Sequence, residues 1–344
     1  MPLVNTRTMF AQAYGQFAVG AFNVNNMELL QAICEAVADK NAPLILQISK
    51  GARQYANIKY LKAMIDVAVA EYPHLPIAVH CDHGDTFELI KECVEDGYTS
   101  VMIDGSHHPY EQNVELTHQV VEYAHQHDVT VEAELGKLGG VEEEVQGMDA
   151  QKLSEMLHTH MNDFIDGKWD AIPPEVIETF KNYLTDPDQA VDFVKKTGCD
   201  SLAVACGTSH GAYKFKHKPA IAHRLFDKIR EKLPGFPLVM HGSSAVYREF
   251  TDLINQYGGD MPGAMGVPDE DLREAGQRGV CKVNIDTDLR MAMTAKIREV
   301  YATKPGEFDP RKYLGPARDA VREMVKHKLD VLGCAGKAAL CLKA

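Results

Sequence analysis

The sequence predicts an α/β fold, a closed (β/α)8 TIM barrel of parallel strands with extra C-terminal helices, and three observations carry that prediction. Eight short apolar runs alternate with longer segments of helical period. The runs are nearly continuous in Val, Ile, Leu and Ala, as parallel strands buried on both faces require. Each run also ends in a polar or ionisable residue, where the C-terminal mouth of such a barrel collects its chemistry. An open doubly wound sheet is the alternative, but it would usually carry a Gly-rich turn after its first strand. None is present.

The elements follow in order. The first strand, AVGAFNV at 18–24, hands over to helical period at 26–40. PLILQIS (43–49) precedes a helix at 57–72, IAVHCD (77–82) one at 86–96, and SVMIDG (100–105) one at 110–127. TVEAELG (130–136) leads instead into a long, acidic stretch with a helical segment, 141–186, which contains Trp169 and the pair Pro173-Pro174 before a helix at 187–197. Loops this long inside a compact domain are usually functional. SLAVACG (201–207) and PLVMHGS (237–243) precede helices at 219–233 and 246–257. The Gly- and Pro-rich segment 258–270 reads as a loop before the last strand, CKVNIDT (281–287), and its helix at 288–303. The tail, 304–344, carries one more helix at about 316–331. No linker or low-complexity tract divides the chain, so residues 1–344 are expected to form a single barrel domain.

Bulk properties exclude several functions. A length of 344 residues is long for one domain but ordinary for a single barrel. The net charge of −13 argues against nucleic acid as a partner. It leaves room for a phosphorylated small substrate, since backbone amides or one arginine can hold a phosphate on an acidic protein. The first residues, MPLVNTRTMF, lack the basic and apolar regions of a secretory signal, and no apolar run approaches the ~18 residues of a membrane span. Eight scattered cysteines without a CxxC pair read as reduced, buried thiols, so the expected location is cytoplasmic with no membrane partner.

The strand ends hold the candidate chemistry. They are Asn23, Ser49, Asp82-His83-Gly84, Asp104-Gly105-Ser106, Glu134-Leu135-Gly136, Gly207-Thr208-Ser209-His210-Gly211, His241-Gly242-Ser243-Ser244 and Asn284-Ile285-Asp286-Thr287. Taken singly, His83, His210 and His241 would each read as a hydrogen-bonded loop residue. Three imidazoles converging on one barrel mouth form instead the usual sphere of a catalytic zinc with an open position. Asp82, directly before His83, suits acid/base work on a hydroxyl near that metal. Asp104 and Glu134 end neighbouring strands and either offer an alternative, oxygen-rich metal position or orient the histidines. Glu142, Glu143 and Glu144 open the long stretch after the fifth strand; they are either a solvated charge run or a base delivered by a closing loop. Gly211, Gly242, Ser244, Asp286 and Thr287 fit a phosphate site of backbone amides and hydroxyls. Arg311 could clamp a second phosphate bidentately.

With these residues placed, the chain resembles class II fructose-bisphosphate aldolase over essentially its whole length. The matching motifs are AFNVNN (21–26), HCDHG (80–84), SVMIDGSH (100–107), VEAELGKLGGVEEE (131–144), GTSHGAYK (207–214), MHGSS (240–244), KVNIDTDLR (282–290) and FDPRKY (308–313). The resemblance implies a lyase that cleaves fructose 1,6-bisphosphate reversibly to glycerone phosphate and glyceraldehyde 3-phosphate, in glycolysis, gluconeogenesis or the Calvin cycle. It implies that His83, His210 and His241 bind zinc, which polarises the ketone and stabilises an enediolate. Asp82 would exchange a proton with the C4 hydroxyl, and Glu142, with Glu143 as second choice, would deprotonate glycerone phosphate. Asn23, Ser49, Gly211, Gly242, Ser244, Asn284, Asp286 and Thr287 match substrate-contacting positions. Arg311 matches an arginine that reaches the second phosphate from a neighbouring subunit, which implies a homo-oligomer, dimer or tetramer. A monovalent cation near the phosphate loop is also usual in the family. Relative to common members, about 148–183 reads as an insertion, and Tyr247 stands where many have proline.

Three other readings compete. A tagatose-bisphosphate aldolase shares the chemistry, but Asp286, Asp288 and Arg311 favour fructose. A lysine Schiff-base aldolase would need a strand-end lysine, and Lys282 sits at a strand start. A non-catalytic barrel would have lost metal ligands or the acid/base pair, and none is missing.

Overall fold

A computed structural model describes residues 3–136, 150–208 and 220–342. Eight strands run in chain order around a closed ring: β1 (Val19–Asn23), β2 (Leu44–Ser49), β3 (Ile77–Gly84), β4 (Ser100–Ile103), β5 (Thr130–Leu135), β6 (Ser201–Val204), β7 (Leu238–Met240) and β8 (Val280–Ile285). All pairs are parallel, and β1 closes the ring by pairing with both β2 and β8. The fold is a (β/α)8 TIM barrel, as the alternation of the sequence predicts.

Helix α1 (Thr6–Ala13) precedes the barrel. The outer ring then runs α2 (Met27–Lys40), α3 (Lys50–Ala56), α4 (Ile58–Glu71), α5 (Phe87–Glu95) and α6 (Tyr110–His125). After β5 come α7 (Ala150–Ile165), α8 (Pro174–Tyr183) and α9 (Pro187–Thr197). The second half adds α10 (His223–Lys232), α11 (Arg248–Gln256), α12 (Asp269–Gln277) and α13 (Thr287–Thr303), and the tail adds α14 (Pro310–Val331) and α15 (Ala338–Cys341). Their starts follow capping chemistry. Asn26, Thr86 and Asp186 cap α2, α5 and α9 by accepting from backbone amides, and Pro187 occupies the first turn of α9.

The strands are buried on both faces, yet the two faces differ. With period two, Val79 and Cys81, Val131 and Ala133, Cys281 and Val283 pack outward under the helices. Gln47, His80 and Asp82, Glu132 and Glu134, Lys282 and Asn284 point into the barrel, where Lys282 donates to Glu132, Asn284 to Asp82 and Gln47 to Asn23, and His80 bonds Ser100. The barrel is thus lined by a polar interior inside an apolar shell.

Element boundaries differ from the sequence reading where local geometry intervenes. Strands β6 and β7 leave the ladder three residues earlier than 207 and 243, because the chain turns at Gly207 (φ 94°) and Gly242 (φ 60°). The segment expected as loop through residue 270 gives way at Asp269 to α12, behind Pro268 and an acidic first turn. Helix α14 begins six residues before the expected 316. Asp309 caps it and Pro310 fills its first position, so Pro316 lies inside the helix. Helices α1 and α3 were not expected at all; both are short, at eight and seven residues. Among the described residues, no helix is long and apolar enough to cross a membrane.

Gly207 tests how tightly the end of β6 is held. A Cβ there would lie 2.4 Å from the carbonyl oxygen of Ala220, on a backbone already in the left-handed half of conformational space. Gly97 has a similar φ of 86° with nothing within 4 Å. Gly207→Ala is expected to cost about 2–4 kcal/mol, from strain plus overpacking, against about 1 kcal/mol for Gly97→Ala. Urea unfolding midpoints of the two variants check this, and equal losses would show that the Ala220 contact does not constrain the strand end.

Candidate active site

Two polar layers fill the barrel. In the lower one, Glu132 of β5 is fully enclosed with Lys282 of β8; the ammonium lies 2.9 and 3.1 Å from the two carboxylate oxygens. His80 of β3 lies 3.7 Å from the same carboxylate and hydrogen-bonds Ser100 at 2.9 Å through Nδ1. Burial and the Lys282 charge push the His80 pKa well below that of a free histidine, so its ring is neutral.

The upper layer sits at the C-terminal mouth. His241 directly follows β7, and its Nε2 lies 2.8 Å from Glu132 Oε1. A carboxylate can only accept there, which makes Nε2 the protonated nitrogen and leaves Nδ1 as a donor of electrons. Nδ1 faces His83 Nε2 at 2.9 Å. His83 is anchored the same way through its other nitrogen, with Nδ1 2.9 Å from Asp104 Oδ2. Asp104 is itself held by the Ser106 amide and hydroxyl. Two imidazoles, each fixed by a carboxylate behind it, thus aim their remaining nitrogens at one point.

How Asp82 and His83, adjacent in sequence, both reach the mouth is a matter of backbone. Neighbouring residues in a regular strand point to opposite faces. Here the β3–β4 register shifts between Cys81 and Gly84, and His83 has φ 50°, in the left-handed region. The irregularity turns the imidazole inward beside the aspartate. Asp82 Oδ1 is 4.0 Å from His83 Nε2. Its carboxylate accepts from Asn23 Nδ2 at 2.8 Å and Asn284 Nδ2 at 3.2 Å, while Gln47 donates to Asn23 Oδ1 at 2.6 Å. The sites read from β1, β3 and β8 are therefore one hydrogen-bonded group.

The electrostatics divide the acids. Burial raises the Asp82 pKa, but His83, Lys282 and His241 outweigh it, and the net direction is down. Asp104 is likewise depressed, burial being overcome by its bond to His83. Glu134 goes the other way: burial and the Asp104 charge push it well above the usual carboxylate range. Burial would lower the His83 pKa, but Asp104, Asp82 and Glu134 hold it up to about 10. Glu134 Oε2 is buried, lies 4.0 Å from His83 Nδ1 and has no hydrogen-bond partner among the described residues.

These groups fit a divalent metal. Asp82, His83 and His241 offer ligand atoms that lie mutually within 4.8 Å, as do His83, Asp104 and Glu134. Paired imidazoles backed by carboxylates, with an orphaned carboxylate oxygen beside them, are the donor set of a transition-metal site.

Other expected residues fall in several places. Ser49 ends β2, where its hydroxyl caps α3. Gly242, with Ser244 buried, follows His241; Asp286 and Thr287 begin α13 after β8. Arg311 does not join the mouth through any described contact. Its side chain is 87% exposed and bonds Asp309. Glu142, Glu143, Glu144, His210 and Gly211 lie outside the described residues. Gln47, His80, Glu132 and Lys282 were missed by strand-end reasoning because they lie mid-strand. Their signal is the period-two spacing of polar residues in LQIS, VHCD, VEAEL and KVNI.

Comparison with known proteins agrees with this geometry. The family model described as fructose-bisphosphate aldolase class-II matches residues 4–337. A fructose-bisphosphate aldolase of Giardia intestinalis is 47% identical over 341 residues, covering 98% of this chain and 95% of that one. One of Thermus caldophilus is 45% identical, covering 95% of this chain and 96% of the relative. The crystal structure of the YdjI aldolase from Escherichia coli K12 superposes with a TM-score of 0.71 at 26% identity, over 98% of this chain and 99% of that one.

The pair beneath the mouth makes its own prediction. Removing one partner of a buried ion pair leaves an uncompensated charge and costs about 3–5 kcal/mol. Lys282→Met should therefore lower the unfolding free energy by about that much. Adding Glu132→Gln, which neutralises the orphan and still accepts from His241, should recover more than half of the loss. Chemical denaturation of both variants measures it; a double variant no more stable than Lys282→Met would mean that the charge pairing is not the source of the cost.

Proposed function

The chain belongs to the class II fructose-bisphosphate aldolase family, whose members are metal-dependent lyases that generally use zinc, and on that premise we propose how its residues serve the reaction. The substrate is fructose 1,6-bisphosphate, cleaved reversibly to glycerone phosphate and glyceraldehyde 3-phosphate. His83, His210 and His241 are the zinc ligands. The observation that supports this most directly is the convergence of His83 Nε2 and His241 Nδ1, 2.9 Å apart, beside Asp82 at the barrel mouth. Bound zinc supplies Lewis acidity toward the ketone.

The protein's own groups then have separate tasks. Asp82, held ionised by His83 and steadied by Asn23 and Asn284, takes the C4 hydroxyl proton in cleavage and returns it in condensation. Glu142, or Glu143 after it, is the base toward glycerone phosphate. Asp104 and Glu134 orient His83 and offer a second metal position. Gly211, Gly242, Ser244, Asp286 and Thr287 take one phosphate, with Asn23, Ser49 and Asn284 lining the sugar. Arg311, exposed on its own chain, would meet the other phosphate from a second copy in a homodimer or homotetramer. A monovalent cation by the phosphate loop, an insertion at about 148–183 and a cytoplasmic location complete the reading.

The competing lysine mechanism is disfavoured by a specific contact. Lys282 is enclosed and engaged by Glu132 beneath the mouth, where its amine does not face the open end of the barrel. The tagatose isomer is the closest rival substrate.

Initial rates on both bisphosphates test the proposal. Chelation should abolish cleavage and zinc should restore it, while borohydride with substrate should trap no adduct. Asp82→Ala should retain zinc and lose about 10²–10⁴ in kcat. Full activity in that variant would remove Asp82 from the chemistry, and faster cleavage of the tagatose isomer would overturn the choice of sugar.

A further inference from the structure

The loop after β7 is held from outside the barrel. Asp288, in the first turn of α13, is fully buried and commits both carboxylate oxygens to backbone amides. Oδ2 accepts from Ala245 at 2.9 Å, and Oδ1 accepts from Val246 at 2.8 Å. These residues directly follow His241-Gly242-Ser243-Ser244. Val246 has φ 55°, a conformation that a β-branched residue adopts only when its surroundings impose it. On the other side, Val267 donates to the Ser244 carbonyl at 3.0 Å, and a Cβ on Gly266 would lie 2.1 Å from that oxygen.

Asp288 in turn depends on a cation from the tail. Lys328, near the end of α14, is 0% exposed. Its ammonium lies 3.4 Å from Asp288 Oδ2, 3.2 Å from Asp269 Oδ1 and 4.6 Å from the centre of the Tyr247 ring. Tyr247 itself donates to Asp269 Oδ1 at 2.8 Å, and His327 reaches Asp269 Oδ2 at 2.7 Å. Without that cation the buried carboxylate would rest on neutral donors alone, and its hold on the two amides would weaken. The strained Val246 would then relax, and Gly242 and Ser244 would move with it.

We propose that Lys328 is a positioning residue for substrate phosphate: through Asp288 it sets the backbone of the β7 loop that binds a phosphate group. This rests on the reading of Gly242 and Ser244 as a phosphate site. It gives the C-terminal helix, which follows the eight barrel repeats, a task in the reaction.

The test uses the zinc-loaded full-length enzyme with Lys328→Met, Asp288→Asn and the double variant. Dissociation constants for glycerone phosphate, KM and kcat for fructose 1,6-bisphosphate, zinc content and melting temperature are read together. The single variants should weaken glycerone phosphate and raise KM at least tenfold, with kcat within threefold of wild type and zinc unchanged. The double variant should be no weaker than the worse single one, as two residues in one linkage require. A lowered melting temperature with unchanged phosphate affinity would make Lys328 merely structural and overturn the proposal. In the wild-type enzyme, which needs no variant to fold, the amides of Ala245 and Val246 should exchange at least a hundredfold more slowly than in an unstructured chain; fast exchange would overturn it equally. Wild-type enzyme that binds no glycerone phosphate would remove the phosphate reading, and this proposal with it.

Discussion

A carboxylate sealed in the middle of the barrel, Glu132, is the constraint around which the interior is arranged. Taking it and the Lys282 ammonium out of water costs several kcal/mol for each ion, and well-packed apolar residues would serve stability at least as well. Their value lies in direction. Lys282 fixes the carboxylate, and the carboxylate makes Nε2 the protonated nitrogen of His241. That tautomer turns the other nitrogen toward His83. The outward faces of the same strands can remain apolar because the polar requirement is met inside, within a few ångströms of its partners.

The mouth above this pair separates its acids by environment. Asp82 and Glu134 end adjacent parts of one polar cluster, yet their pKa values are driven apart. Asp82 is close to three cationic or potentially cationic groups and accepts from two amides, so it stays ionised. Glu134 is buried next to Asp104, and two like charges so placed do not both ionise readily. Such divergence gives neighbouring acids of one site different affinities for a proton. A divalent ion bound here would stabilise the charged forms of its carboxylate neighbours further.

Much of this was legible in the chain because barrels put chemistry at strand ends. The rule picked out Asp82, His83, Asp104, Glu134, His241 and Asn284, and the described structure brings all six together. It overlooked Gln47, His80, Glu132 and Lys282, since a polar residue inside an apolar run looks like an interruption until its period-two partner is counted. His83 could be named, but its left-handed backbone could not be foreseen. The bulge depends on the register between β3 and β4, which are neighbours in space rather than in sequence. The same limit applied to α14. Asp309-Pro310 is a start signal, but Pro316 six residues later masks it by resembling a second one. Arg311 was singled out as a possible phosphate clamp, and its side chain is exposed and bonded to Asp309.

Two residues near the mouth, His83 and Val246, occupy backbone conformations that cost of order 1–3 kcal/mol each. Both lie beside groups that the proposed chemistry uses, and both are held by a carboxylate. Asp104 grips the His83 ring, and Asp288 grips the Val246 amide. Apolar packing alone would hold these turns less tightly, because it is non-directional and tolerates a shift of some tenths of an ångström. A charge-assisted hydrogen bond in a buried setting does not, since moving off axis forfeits most of its energy while the desolvation cost remains. Placing the strain under carboxylates thus converts two unfavourable backbone angles into fixed positions for an imidazole and for a phosphate-facing loop. The cost is a set of buried acids, each of which needs its own partner: His83 for Asp104, and a lysine delivered from the last long helix for Asp288.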